Sequence, residues 1–138
     1  MRRPAIVLAI SFGLCVTYVV AHWALIELGR EVIVLRTENP DGGWLETRLW
    51  IVDDGDYSWL HGGNSAWMSN LRARPIVEIE RDGETHRYRA DAVPGPHPKL
   101  DALLRAKYGA ADRWVRFVGP DGETTTGVRL ELLDAPSR

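Results

Sequence analysis

Between the pair Arg2–Arg3 and Glu27 the chain carries no Asp, Glu, Lys or Arg. Pro4 to Ile26 is a run of 23 residues, nearly all apolar. No other stretch constrains the molecule as much, because a segment this apolar has to leave water. A bilayer core is ~30 Å thick and a helix rises about 1.5 Å per residue, so about 20 apolar residues cross it. Ala5–Ile26 is long enough. Tyr18, His22 and Trp23 gather toward its far end, where amphipathic rings favour the headgroup interface.

Two other readings of this segment are weaker. A cleaved signal peptide shares the basic start, but its apolar core usually runs about 7–15 residues. Val19-Val20-Ala21 is a poor small-residue cleavage site. A core helix of a soluble protein keeps a polar stripe, and this segment has none. The expectation is therefore an uncleaved, single-pass anchor over residues 1–30 and one domain over 31–138. The positive-inside rule places Arg2 and Arg3 in the cytoplasm and the domain on the outer, periplasmic or extracellular face, with Arg30 alone opposing.

The domain of 108 residues is a normal size for a single core. Removing Arg2, Arg3 and Arg30 from the 17 Lys+Arg leaves 14, and removing Glu27 from the 19 Asp+Glu leaves 18. This slightly acidic balance, without a basic stripe, argues against nucleic acid as a partner. Cys15 is the only cysteine and lies within the apolar run, so neither a disulfide framework nor a cysteine zinc site is available to the domain. No His/Asp/Glu cluster has metal-ligand spacing.

The domain reads as mainly β. Glu31–Thr37 is β-branched and strand-like. Asn39-Pro40-Asp41-Gly42-Gly43 is a turn by composition. Leu45–Val52 alternates as a second strand, Asp53–Asp56 turns, and Tyr57–His61 returns as a third. Ser65 caps a short helix, Ala66–Ala73, with Trp67, Met68 and Leu71 at helical spacing. Pro75 opens a fourth strand, Ile76–Arg81, and Asp82-Gly83 signals a two-residue hairpin into a fifth, Thr85–Val93. Lys99–Tyr108 is a helix stopped by Gly109. Asp112–Val118 is ambiguous between strand and helix, and Thr124–Leu133 is a last strand. Six short strands with two or three helices predict a closed antiparallel barrel with helical lids.

The segments Glu46–Val52, Trp59–Gly63 and Ala66–Glu78 carry a family likeness. In order, they resemble the split β-barrel flavin- and deazaflavin-binding superfamily. The closest branch is the deazaflavin-dependent nitroreductase and quinone reductase family, related to pyridoxamine phosphate oxidase. The helix reading Trp-x-x-Asn-Leu-x-Ala-x-Pro is the most specific part of the match. The likeness implies a split barrel, a flavin-type cofactor (flavin mononucleotide or a deazaflavin) and a site often placed at a homodimer interface. It implies that Thr47, Arg48 and Leu49 line the cofactor, that the backbone of His61, Gly62 and Gly63 approaches it, and that Trp67, Asn70 and Leu71 flank its tail. Many deazaflavin members carry a Lys-x-Pro element before this helix. Here Gly63-Asn64-Ser65-Ala66 stands there, shorter and without a lysine, which leaves the choice of cofactor open.

The residues also speak for themselves. Arg48, Arg72 and Arg74 surround the glycine turn in sequence, and arginine offers phosphate a planar fork. Ser65 and the amides after it form a helix N-terminus, which favours an anion. Trp50, Trp59 and Trp67 either stack on a planar ligand or fill the core. Hydride transfer through a flavin needs no protein nucleophile, so the lack of a Ser/His/Asp arrangement is compatible with redox chemistry. The leading expectation is a membrane-anchored oxidoreductase serving a small acceptor such as a quinone or nitro compound. The alternative is an anchored split-barrel binding module without catalysis.

The anchor is directly testable. The full-length protein should stay in the membrane fraction through alkaline carbonate washing, and Leu14→Arg should weaken insertion, since a central charge costs ~2.5–3.5 kcal/mol on insertion scales. Release of intact protein by carbonate contradicts the anchor, and a mature chain starting near His22 establishes cleavage.

Overall fold

The computed structural model describes residues 3–27, 30–119 and 125–133. The chain divides into two compact units, Met1–Arg30 and Glu31–Arg138. In the first, helix α1 runs Arg3–Glu27, and its Ile6–Leu25 window is apolar on average and free of Asp, Glu, Lys and Arg. Leu8, Phe12 and Leu14 are exposed around it. Its length and composition suffice to cross a bilayer and equally suit a signal sequence.

The second unit is a seven-stranded antiparallel sheet with three helices. In chain order it runs β1 Ile33–Glu38, β2 Trp44–Leu49, β3 Val52–Asp54, β4 Tyr57–Gly62, α2 Ala66–Ala73, β5 Ile76–Arg81, β6 Glu84–Pro94, α3 Pro98–Tyr108, α4 Ala110–Val118 and β7 Thr126–Leu132. The strand order is β2-β1-β5-β6-β7-β4-β3. Local chemistry explains most boundaries. Asp82 and Gly83 take φ of 54° and 80°, the doubly left-handed turn that an Asp-Gly hairpin needs, and Arg81 pairs with Glu84 across it. Ser65 caps α2 by accepting the Met68 N–H at 3.4 Å.

Three expectations are revised. The single strand Leu45–Val52 is two strands, β2 and β3, which raises the count from six to seven. The ambiguous stretch Asp112–Val118 is helical and belongs to α4. The barrel is not closed by a continuous ladder: β2 and β3 are the two edges of a curled sheet, a half-barrel. Only Trp50 and Ile51 separate these edges in sequence, so the sheet must curl until they nearly meet. Covalent connection replaces hydrogen bonding at the seam.

The strand breaks at Trp50-Ile51 because α3 captures it. The Ile51 N–H donates to the Tyr108 hydroxyl at 3.1 Å. That hydroxyl lies 2.9 Å from the Ile51 carbonyl and 2.8 Å from the Glu31 carbonyl, and its one proton serves them in turn. The Trp50 ring stacks on Tyr108, centroids 4.5 Å apart and 8° from parallel. Lys107 donates to the Ile51 carbonyl at 2.7 Å. Around this seam Glu31 accepts from both Arg81 and Lys107. Arg81 also grips Asp53 with two bonds, at 2.8 and 3.0 Å.

These contacts leave an electrostatic signature. The hydrogen bonds from Arg81 hold Asp53 down to about 2, against the opposing effect of burial. Burial pushes Glu31 up, but Lys107 and Arg81 outweigh it and the net shift is downward. Burial pushes Tyr108 up to about 12, against a smaller lowering by the Ile51 backbone.

The inner face of the sheet holds the main core: Ile33, Leu35, Leu60, Ile79, Val128 and Leu130, closed over by Met68 and Leu71 of α2. A second cluster lies outside the sheet, where Leu100, Leu104 and Tyr108 of α3 pack on Val52, with Trp50 and Trp59 beside them. The β3–β4 ribbon is thus apolar on both faces. Each fully buried large side chain contributes about 1.5–3 kcal/mol.

The seam predicts a pH signature. Tyr108→Phe should cost about 1–3 kcal/mol, because buried groups at Ile51 and Glu31 lose a partner. Tyr108 has a folded pKa raised above its unfolded value near 10, so its contribution is complete below pH 10 and lost as pH rises through about 12. Asp53 and Glu31 are lowered, so their contribution is present above the unfolded carboxylate range and lost as pH falls through about 2 for Asp53. Urea melts from pH 2 to 12 check both arms. The Phe variant should lose less stability than wild type between pH 10 and 12, and keep the acid arm.

Candidate functional site

The structure distributes the residues singled out from the sequence among three environments. On β2, side chains alternate. Thr47 and Leu49 are half-buried, opposite Leu35 and Ile33, and Leu49 packs against the main core. Arg48 lies on the other face and is exposed, level with Val34. That outer face is charged: Arg36 pairs with Glu46 at 2.8 Å and approaches Glu80 at 3.6 Å.

The second environment is the end of β4 and the start of α2. A Cβ on Gly62 would stand 2.4 Å from Trp67 Cζ2, so the absence of a side chain there makes room for the indole. Trp67 itself is 7% exposed and belongs to the core. Gly63 is half-buried in the turn that follows, and the Ser65 hydroxyl is engaged as the cap. Asn70 is buried and donates to Thr37 Oγ1 at 3.2 Å and Asn39 Oδ1 at 2.9 Å. It thereby ties α2 to the β1–β2 turn. Of the flanking arginines, Arg72 donates to Thr126 Oγ1 at 3.4 Å and Arg74 lies 3.6 Å from Glu38.

The third environment lies outside the sheet, under α3. His61 sits on β4 opposite Gly127, with Nε2 3.8 Å from Asp101 Oδ1. Asp101 also accepts from Arg116 at 3.0 Å, and Arg116 continues to the buried Asp112. Along the same face is a cavity of about 270 Å³. Its walls are Trp59, His97, Leu100 and Leu103, and its rim is the Asp54–Lys99 ion pair at 2.6 Å. The His97 ring rests on Gly127, 3.0 Å from where a Cβ would be, and its Nε2 lies 2.5 Å from the Val93 carbonyl. Trp59 faces His97 at 6.1 Å.

This cavity escapes sequence reasoning except at Trp59. Its other walls come from Pro96–Pro98, the first turn of α3 and Leu103. An apolar, aromatic-walled hollow with a few polar rim groups suits a small planar ligand. Among the described residues no three His, Cys, Asp or Glu side chains are grouped to hold a metal ion.

The fold has relatives among solved structures. The heme storage protein HutZ from Vibrio cholerae superposes with a TM-score of 0.61 at 15% identity, covering 78% of this chain and 84% of that one. An F420 reductase superposes at 0.55 and 18% identity, covering 81% and 93%. General Stress Protein 26 from Bacillus anthracis does so at 0.55 and 12%, covering 81% and 87%. These neighbours are split-barrel proteins, and the second unit of this chain is a split barrel. No family profile and no curated sequence matches the chain.

The contact between Gly62 and Trp67 yields a structural test. Gly62→Ala should destabilise by about 1–3 kcal/mol, as overpacking does. Adding Trp67→Phe, which removes the ring atoms in contact, should recover part of the loss in thermal melts. A neutral Gly62→Ala would mean that this glycine is not held for the indole.

Proposed function

We propose that this chain is a membrane-anchored split-barrel redox protein that holds a flavin-type cofactor against the β2 edge and serves a small apolar acceptor. The observation that carries the reading is the curled sheet itself, which is matched over 93% of an F420 reductase. Among the described residues β2 pairs with β1 alone, so its other backbone edge has no ladder partner. The pyrimidine edge of a flavin alternates hydrogen-bond donors and acceptors, as a strand edge does. Arg48, exposed on that strand, offers a guanidinium to a phosphate or to the ring.

The fit is partial within one protomer. β2 supplies one wall, and Ser65, Gly62 and Asn70 are engaged in the fold. A second copy of the chain would supply the facing wall, so the reading includes a homodimer. When bound, the cofactor supplies the hydride or electron-pair chemistry, and the protein's part is to hold it, orient it and exclude water. An anchor in the bilayer makes a lipid-soluble quinone a suitable acceptor.

The same engagement of Ser65, Gly62 and Asn70 favours a second reading, an anchored binding module without catalysis. Absorbance of the detergent-purified protein between 350 and 500 nm, as isolated and after titration with flavin mononucleotide or deazaflavin, separates the two. Arg48→Ala should weaken binding by more than about tenfold, or ~1.4 kcal/mol, and Arg48→Lys should restore little. Arg129, on β7 and paired with Asp91 at 3.0 Å, is the control and should tolerate Ala in this assay. Binding of neither cofactor by wild type supports the second reading. Unchanged binding by Arg48→Ala moves the site away from β2.

A further inference from the structure

Two aromatic walls of the cavity under α3 are held in place and still keep hydrogen-bonding capacity in reserve. The His97 ring is fixed from β6 and β7. Its Nε2 lies 2.5 Å from the Val93 carbonyl. Gly127 leaves room for the ring, since a Cβ there would stand 3.0 Å from His97 Cδ2 and 3.1 Å from Leu100 Cδ2. A carbonyl only accepts, so Nε2 carries the proton, and in the neutral ring Nδ1 is an acceptor. Among the described residues nothing donates to Nδ1. The Trp59 indole N–H is a donor only, and among the described residues it has no acceptor. The two rings stand 6.1 Å apart and 46° from parallel, neither stacked nor edge to face. One free donor, one free acceptor and an incompletely paired indole thus belong to the walls of one hollow.

Size and charge narrow the occupant. A volume of about 270 Å³ lies just below the ~300–1,000 Å³ of pockets for drug-sized ligands. One ring or two fused rings fit it, whereas a three-ring flavin with its ribityl phosphate is too large. At the rim, Asp54 and Lys99 pair at 2.6 Å and cancel each other's charge. Leu100, Leu103 and two prolines complete the lining, all uncharged. No net charge there selects an anion or a cation. We propose that this cavity binds a neutral aromatic compound of one or two fused rings that carries a hydroxyl group. A hydroxyl is the smallest neutral group that both accepts, as Trp59 requires, and donates, as His97 requires. The apolar body of the ligand packs on Leu100 and Leu103. The site shares no residue with the β2 edge and needs no cofactor, so it goes beyond the redox reading.

The test is calorimetric titration of the detergent-purified full chain, without added cofactor, with 2-naphthol against a detergent-only blank. 2-Naphthol should bind one site per chain. Naphthalene, which lacks the hydroxyl, and 2-naphthoate, which is charged, should each bind at least about tenfold more weakly. Leu103→Trp, which fills the cavity, should weaken 2-naphthol binding by more than about tenfold. Trp59→Phe keeps an aromatic wall and removes the donor. It should weaken 2-naphthol about three- to tenfold, the loss of one hydrogen bond, and leave naphthalene unchanged. Thermal melts check that each variant is folded, and Trp59→Phe decides alone if Leu103→Trp is not. No heat above the blank, or wild-type binding by folded Leu103→Trp, overturns the site. 2-Naphthoate binding as tightly as 2-naphthol overturns the neutral class. Unchanged 2-naphthol binding by Trp59→Phe overturns the recognition of the hydroxyl.

Discussion

Two residues, Trp50 and Ile51, join the two opposite edges of one seven-stranded sheet. A flat sheet of this order would hold β2 and β3 six strand spacings apart, roughly 28 Å at about 4.7 Å each. The three peptide steps from Leu49 to Val52 reach at most about 11 Å, well under half of that. The connection therefore forces the sheet to roll up, and every other feature follows from keeping the roll in place. No ladder hydrogen bonds hold this seam among the described residues. Tyr108 does so instead, with one hydroxyl serving Ile51 and Glu31 and one ring stacked on Trp50. The carboxylates of Glu31 and Asp53 and the cations Arg81 and Lys107 surround it.

The roll has two consequences for function. It leaves β2 as an edge, with backbone available for a ligand or a second chain, while the charges of its outer face keep it from indiscriminate pairing. It also makes β3–β4 a ribbon apolar on both sides, which α3 must cover. α3 covers it incompletely: Pro98 and the first turn stand off from Trp59, and the cavity is the gap that remains. The edge and the cavity are thus by-products of a single closure, one on each side of the seam.

Much of this was legible in the sequence where the signal is local. Asp82-Gly83, the Ser65 cap and the stop at Gly109 each depend on residues within a turn of one another. The break at Trp50-Ile51 was not, because it depends on Tyr108, 57 residues away. Periodicity across Leu45–Val52 stays unbroken, since Ile51 and Leu49 both face the core and Trp50 faces Tyr108. The residues read as ligand contacts carry a related lesson. Trp67 and Asn70 stand out in the sequence for chemistry, and the structure gives both a packing or tying role that a single chain cannot distinguish from binding. Arg48 stands out equally and is the one placed outward on an edge.

The helices α3 and α4 connect these regions physically. α3 has 11 residues, about 16 Å at 1.5 Å per residue, with the Trp59 cavity at its first turns and the Tyr108 seam at its last. The long side chains on α3, Lys99 at the cavity rim and Lys107 at the seam, mark the two ends of that distance.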